Sequence, residues 1–389
     1  VAMLAAAPAC TSVDIGSPTP TATEITTGGA QPGHSVPSDL PVSERDKVES
    51  GPEELSRSVR FDSGKSIDYS DAQMSGTYFT RWDKKNDGSA EVVRAADGTV
   101  VLRLEQPGKK RYIARILVIG EKAYVADCPH YDELDEAPPK LYQYDLTNGS
   151  RVEIPPPGGE KWTVWGSMLE NIHGTPVWFA DRSDPAAEEY RNCLVRIDGM
   201  KSELIYCPED NVLSDPRESA GGVTVLMLPK KVPEQSPYTF EVEVSLDGKS
   251  VRKLGDDESG LASHGLSYAG WDVWAQGQRS DPLNVTDVPV LFNGPNNERW
   301  FFERAVPKSI IQCGGKVYWW QQPPLDKEDL GRQMHEWVPG ETRTTVVAKS
   351  TPGGLAGGIK CSNGYLTWVE TTQVEESPID SFYYIKVGD

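Results

Sequence analysis

Long apolar runs are missing from this 389-residue chain: nowhere do about 18 consecutive apolar residues occur, so the sequence offers no membrane-crossing helix. Basic charge is also short. Lys and Arg number 39 against 58 Asp and Glu, a formal charge of -19 at pH 7, and such a field repels the phosphates of DNA and RNA. No amphipathic helix of useful length and no glycine-rich phosphate loop opening a helix can be found, which sets aside helical bundles and nucleotide-binding α/β folds. What is present is a protein with 38% apolar and 25% charged residues, rich in turn formers (Gly 36, Pro 30) and in aromatics (Trp 11, Tyr 15, Phe 8). Length alone suits two or three domains or one large all-β domain.

The amino terminus sets a cellular context. Val1 to Ala9 is a short apolar, small-residue run leading directly to Cys10. It resembles the end of a bacterial lipoprotein signal, in which the cysteine is diacylated, although Ala7 stands where that signal usually has Leu and the charged leading region is absent. The resemblance makes Cys10 the lipidation residue and places the protein outside the cytoplasm, held on the outer face of the membrane by lipid alone. Residues 11–56 carry Ser17-Pro-Thr-Pro-Thr, Thr26-Thr-Gly-Gly and similar tracts; too polar to bury a core, they read as a disordered tether. Within this stretch the charged residues from Ser43 onward suit a short helix.

From about residue 57 to the end, runs rich in Val, Ile, Tyr, Trp and Phe alternate with turn signals. Glycines in hairpin contexts recur at Gly98, Gly149, Gly199, Gly248, Gly294 and Gly340, with a last at Gly388, at intervals of 51, 50, 49, 46, 46 and 48. A second series precedes aromatic or β-branched strands at Gly76, Gly120, Gly174, Gly222, Gly270, Gly315 and Gly364, spaced 44, 54, 48, 48, 45 and 49 apart. Two interleaved series of one period, each unit holding four short strands A to D, give the repeat of a β-propeller blade. The first series is assigned to the A–B turns and the second to the C–D turns. The expected fold is all-β: a seven-bladed β-propeller over 57–389, with a six-bladed ring or a pair of β-sandwiches as the alternatives. Blade four has the weakest A strand. The seventh C strand, Ser381 to Val387, runs into the chain end, so the missing D strand is expected from Arg57 to Asp62, closing the ring and removing an open edge.

This organisation resembles the extracytoplasmic propellers of the TolB-type and WD-repeat-like superfamilies, in particular tethered lipoproteins of high-GC Gram-positive (actinobacterial-type) bacteria. It rests on period and turns, since neither a Gly-His…Trp-Asp pair nor a repeated Asp-box occurs, and architecture does not set function.

The cysteines fit an exported protein. Cys193 and Cys207 flank the hairpin at Asp198-Gly199 and suit a cross-strand disulfide, while Cys313 and Cys361 hold matching positions before the A–B glycines of adjacent blades six and seven. With Cys10 lipidated, Cys128 is the odd thiol.

Seven long connections fall on one face of such a ring, roughly 83–89, 128–140, 181–192, 229–239, 277–287, 322–333 and 371–380. Several are acidic, which makes Asp127, His130, Asp132, Glu133, Glu375, Glu376 and Asp380 the binding-face candidates and favours a cationic partner. Asp127, His130, Asp132 and Glu133 offer metal-ligand atoms without a second nearby His, and Asp83-Lys-Lys-Asn-Asp87-Gly88 fails the Ca²⁺ loop pattern at Lys85 and Arg94, so no metal or cofactor is expected. Gly265-Leu-Ser267 beside His264 imitates a nucleophile elbow but lies in a strand with no following helix. Trp178, Trp274, Trp319, Trp320 and Trp368 read as packing between blades; Trp82 and Trp162 sit nearer connection ends. No catalytic residue is singled out. The function expected is a monomeric cell-surface lipoprotein whose propeller binds or scaffolds an envelope protein or a cationic or glycan ligand. A propeller hydrolase or lyase acting on glycans through loop-face carboxylates is the alternative.

Overall fold

The computed structural model describes residues 48–50, 59–62, 67–68, 73–83, 89–105, 111–129, 138–158, 162–184, 189–230, 240–254, 261–277, 288–306, 309–323, 331–351, 355–374 and 377–387. Cys10 and the stretch 1–47 lie outside them. Among the described residues every regular element is a β-strand except one 3-10 turn at Pro295–Asn297.

The strands form seven antiparallel four-stranded units, laid out in chain order from strand A to strand D in blades 1 to 6, of which blades 5 and 6 are joined in one sheet through the last strand of blade 5 and the second of blade 6. Blade 1 comprises β3 (Ile67–Asp68), β4 (Tyr78–Asp83), β5 (Ser89–Arg94) and β6 (Val100–Leu104), and blade 2 β7 (Arg111–Ile119), β8 (Lys122–Pro129), β9 (Lys140–Asp145) and β10 (Arg151–Ile154). Blade 3 holds β11 (Thr163–Ile172), β12 (Thr175–Asp184), β13 (Glu189–Asp198) and β14 (Lys201–Tyr206). Blade 4 holds β15 (Asn211–Ser219), β16 (Gly222–Pro229), β17 (Phe240–Val244) and β18 (Val251–Lys253). Blade 5 is β19 (Leu261–Tyr268), β20 (Trp271–Gly277), β21 (Val288–Asn293) and β22 (Arg299–Ala305), and blade 6 is β23 (Ile311–Cys313), β24 (Lys316–Gln321), β25 (Gln333–Trp337) and β26 (Thr344–Lys349). Blade 7 takes β27 (Leu355–Ser362), β28 (Tyr365–Val374) and β29 (Ser377–Lys386), and its outermost strand is β2 (Val59–Asp62), antiparallel to β29. The chain therefore closes its own ring. One more strand, β1 (Val48–Ser50), adds in parallel to the outer edge of β26, so the charged segment expected as a helix contributes a strand.

Blades stack face to face, so their middle strands are covered on both sides and need not alternate polar with apolar. Val317, Tyr318, Trp319 and Trp320 are consecutive and all fully buried, as are Val177 to Ala180. The tryptophans expected to fill the spaces between blades do so: Trp178, Trp274, Trp319 and Trp320 are completely enclosed and Trp368 nearly so. Trp162 is buried in the core shared by blades 2 and 3, and Trp82 packs against the core of blades 1 and 2. An aromatic layer forms in blade 5 and across to blade 6, with the tilted rings of Trp271 and Trp300 4.5 Å apart and those of Phe292 and Trp337 4.7 Å apart.

The two glycine series carry the opposite labels to those assigned from the sequence. Gly98, Gly149, Gly199, Gly248 and Gly340 lie in C–D turns, whereas Gly174, Gly270, Gly315 and Gly364 lie in A–B turns. Both kinds of hairpin demand φ > 0, so spacing alone carries no polarity. In the A–B turns of blades 3, 5, 6 and 7 both central residues are left-handed, as at His173 (φ 50) with Gly174 (φ 78) and Asn363 (φ 52) with Gly364 (φ 73).

Two of the seven expected long loops are instead extended hairpins. In blade 3 the ladder continues to Asp184↔Glu189, and in blade 7 to Val374↔Ser377. Strand formers such as Thr371 and Thr372 prolong the ladder through what polarity alone suggested was loop.

Both expected disulfides are present, Cys193–Cys207 and Cys313–Cys361, the second joining the innermost strands of blades 6 and 7. Cys128 is not an odd thiol: it is disulfide-bonded, and none of the described cysteines is free.

Candidate functional site

The A strands of successive blades stand next to one another, β7 by β11, β11 by β15, β15 by β19, β19 by β23 and β23 by β27, and together wall a central channel. They share an irregularity that spacing does not reveal. The A–B ladder slips in mid-strand between Ile113 and Arg115, Trp165 and Glu170, Ser214 and Arg217, Ser263 and Leu266, and Gly357 and Lys360. A β-bulge twists its strand and re-aims the residue that follows. In blade 4 the bulge holds Asp215 at φ 49, and that interruption, with Pro216, explains why this A strand reads so weakly. Blade 6 goes further: Ala305 and Val306 pair with β24 before the chain leaves and returns as Ile311–Cys313.

Where the ladder resumes after a bulge, four of five residues are charged: Arg115, Glu170, Arg217 and Lys360. These line a chamber of about 290 Å³ within the channel, together with Asp215, Glu218 and Gln312. Arg115 is buried, ion-paired to Glu170, and donates from Nε to the carbonyl of Leu169 at 3.4 Å. Arg217 donates to the carbonyl of Ile310 at 3.1 Å, tying blade 4 to the segment that leads into blade 6.

Above this chamber, toward the A–B turns, a second cavity of about 420 Å³ opens; Asn171, Glu218, Gln312 and Cys361 border both. Its rim is built from turns of blades 3, 6 and 7, His173-Gly174, Gly314-Gly315 and Asn363-Gly364. Glycine keeps that rim low. The Glu218 carboxylate accepts the backbone N–H of His173 at 2.7 Å and lies 3.7 Å from His173 Nδ1. His173 Nε2 lies 2.6 Å from the carbonyl of Ser219; a carbonyl only accepts, so Nε2 carries the proton. Ser362, only 8% exposed, has a buried Oγ with no hydrogen-bond partner, and the buried Oδ1 of Asn171 has none either.

Other carboxylates fasten the seams between blades. Glu241 of β17, 3% exposed, accepts the backbone N–H of Gly265 in the bulge of β19. A Cβ on Gly265 would stand 2.6 Å from Glu241 Oε2 and 3.0 Å from Trp274 Cβ, so this glycine serves close packing and Gly265-Leu-Ser267 is no elbow. Arg252 forks onto Asp272 at 2.8 and 2.9 Å and also holds Glu243 at 3.1 Å, across the seam of blades 4 and 5. These carboxylates push its already high pKa further up, with Asp272 the largest cause. In blade 1, Glu91, almost wholly buried, is gripped by Arg81 at 2.8 Å and by Arg103 on the two flanking strands. His335 is fully buried between blades 5 and 6, with Nδ1 3.0 Å from Thr344 Oγ1 and Nε2 3.0 Å from Gln321 Oε1. Desolvation pulls its pKa down to about 3, so it is neutral in the fold.

Of the binding-face residues expected from sequence, Asp127 closes the end of β8 and is ion-paired with Arg111 at 2.7 Å, so its charge is already matched. The backbone of Asp380 pairs with Thr371 in the blade 7 ladder, not in a loop. His130, Asp132, Glu133, Glu375 and Glu376 lie outside the described residues, and no three of His, Cys, Asp and Glu come together as a metal-binding group among the described ones. Sequence reading passed over Glu218, Asn171 and Ser362, because their common address depends on which strands face the channel.

No protein-family model and no curated protein matches the chain. Solved structures do. Uncomplexed Pyrococcus horikoshii acylaminoacyl peptidase superposes with a TM-score of 0.53 at 12% identity, over 87% of this chain and 54% of that one. The β-propeller domain of the Trilobed protease from Pyrococcus furiosus, described as having an open velcro topology, gives 0.52 at 11% identity over 81% and 97%. An oligogalacturonate lyase in complex with manganese gives 0.50 at 11% identity over 84% and 96%. At these identities the likeness is one of fold, a seven-bladed β-propeller. The chain spans about half the length of the matched peptidases. Unlike an open ring, this one has β2 of the N-terminal region paired to β29 of the C-terminal region.

Proposed function

We propose that the protein is an extracytoplasmic binding and scaffolding module of the cell envelope that recognises a basic or glycan partner, held there on an acylated Cys10 with the polar stretch 11–56 as spacer; Cys10 is the one cysteine of six left in the chain to pair with Cys128, so the anchored form is the one in which the Cys128 bond is not made. The observation that carries this reading is the polar cavity at the A–B mouth of the channel, above a wall in which Arg115, Glu170 and Arg217 already serve the fold. Glu170, Glu241 and Glu243 are each engaged by an arginine or a backbone N–H, which supports a scaffold role for them. The disulfides Cys193–Cys207 and Cys313–Cys361 support an oxidising compartment, and the charge of -19 supports a basic partner.

The test is cellular. Expressed from its complete gene, wild-type protein should fractionate with membranes and incorporate labelled palmitate, and Cys10→Ser should appear in the medium. Unchanged retention of the variant contradicts the anchor. So does peptide mapping that finds Cys10 bridged to Cys128, because one sulfur cannot carry both a thioether and a disulfide.

A second reading, a glycan-acting enzyme, draws on the likeness to the lyase over nearly all of that chain. Depolymerisation of acidic or neutral polysaccharides by purified protein would favour it over the scaffold.

A further inference from the structure

We infer that the upper chamber of the channel is a subsite for one cationic nitrogen group, an ammonium or guanidinium on a partner's side chain or terminus; this rests on the binding-module reading and names the chemistry of its site. The lining is dominated by groups that accept hydrogen bonds. Glu218 brings a carboxylate, Asn171 its Oδ1, Ser362 its hydroxyl and Gln312 an amide, and neither Lys nor Arg borders this chamber.

Glu218 has charge to spare. Among the described residues its Oε2 takes the His173 N–H, its one ionic neighbour is His173 Nδ1 at 3.7 Å, and its second oxygen accepts no hydrogen bond. A carboxylate held in a recess, where water screens it less than on an open surface, attracts a cation more strongly than an exposed one. Ser362 supplies an independent pointer. Its Oγ is buried and lacks a partner, an unfavourable condition that an arriving donor relieves. An ammonium or guanidinium brings only donors, so it matches Glu218, Asn171 and Ser362 together.

Depth is also set. Arg115, Arg217 and Lys360 stand in the lower chamber and not in the upper one, so like charge stops a cation at the level of Glu218. The turns Gly314-Gly315 and Gly364 keep the blade 6 and blade 7 sides of the entrance low, opposite the His173 imidazole, which suits a protruding side chain better than a flat ring.

The experiment is calorimetric titration of the full chain with N-acetyl-arginine amide and with cadaverine, using N-acetyl-citrulline amide as the neutral isostere. The arginine compound should bind at least ~10-fold more tightly than the citrulline one, equivalent to about 1.4 kcal/mol. Glu218→Gln, which keeps an acceptor for the His173 N–H, should abolish that preference; Ser362→Ala should weaken both cations severalfold. Equal binding of arginine and citrulline compounds, no binding of either cation, or a Glu218→Gln protein that binds as wild type does would overturn the subsite. The envelope-module reading falls separately, by the fractionation of Cys10→Ser. A basic partner protein captured equally by wild type and Glu218→Gln would leave that reading standing while removing this site.

Discussion

The carboxylate of Glu241, on the third strand of blade 4, accepts the backbone N–H of Gly265 inside the bulge of the first strand of blade 5. A broken ladder leaves a main-chain donor without its usual acceptor, and the neighbouring blade supplies one. Glu241→Ala should therefore cost about 1–3 kcal/mol, the penalty for a buried donor left unpaired, and Glu241→Gln clearly less. Gly265→Ala should cost a similar amount by overpacking against Glu241 and Trp274. Urea unfolding of the three variants checks this; a silent Glu241→Ala contradicts it.

His335 makes the fold sensitive to acid. Its pKa is about 3 in the fold against 6.5 for a free side chain, so below pH 6.5 the unfolded chain gains a proton that the folded chain refuses. Stability from this group is complete above pH 6.5 and falls by up to about 1.4 kcal/mol per pH unit down to about pH 3. His335→Gln should be less stable than wild type at pH 7, yet the gap should narrow steadily between pH 6.5 and 4 in denaturant melts. A constant gap would show that His335 does not carry the dependence.

The link Cys313–Cys361 closes a loop of 48 residues between adjacent innermost strands. Loop entropy puts its worth at about 4 kcal/mol, against about 3 kcal/mol for Cys193–Cys207 with its separation of 14. The double variant Cys313→Ala/Cys361→Ala should thus lose more stability than Cys193→Ala/Cys207→Ala, measured without reductant. The reverse order would refute the loop argument.

Much of the ring was legible in the sequence, and particular residues show why the rest was not. Trp178, Trp274 and Trp319 stand at one distance from their turn glycines, and that repeat fixed period, blade count and packing role. The closing strand expected at Arg57 to Asp62 is there, with Val59–Asp62 paired to β29. The labels of the turns were reversed because Gly98 and Gly174 satisfy the same φ > 0 demand. Thr371 to Asp380 read as an acidic loop because polarity was weighed above strand propensity. The channel site stayed hidden: Asn171, Glu218 and Ser362 belong to three blades, and only the mid-strand bulges decide which residues meet there.

The account stands on a ring that its own N-terminal strand completes, with Val59–Asp62 laid against Ser381–Tyr384. The direct measurement is thermal unfolding of protein lacking residues 56–63 beside the intact chain. A melting temperature lower by more than ~5 °C is expected, a loss of over ~3.5 kcal/mol for a ring of this size, with blade 7 amides exchanging fastest. Identical melting of the two proteins would contradict closure by this strand.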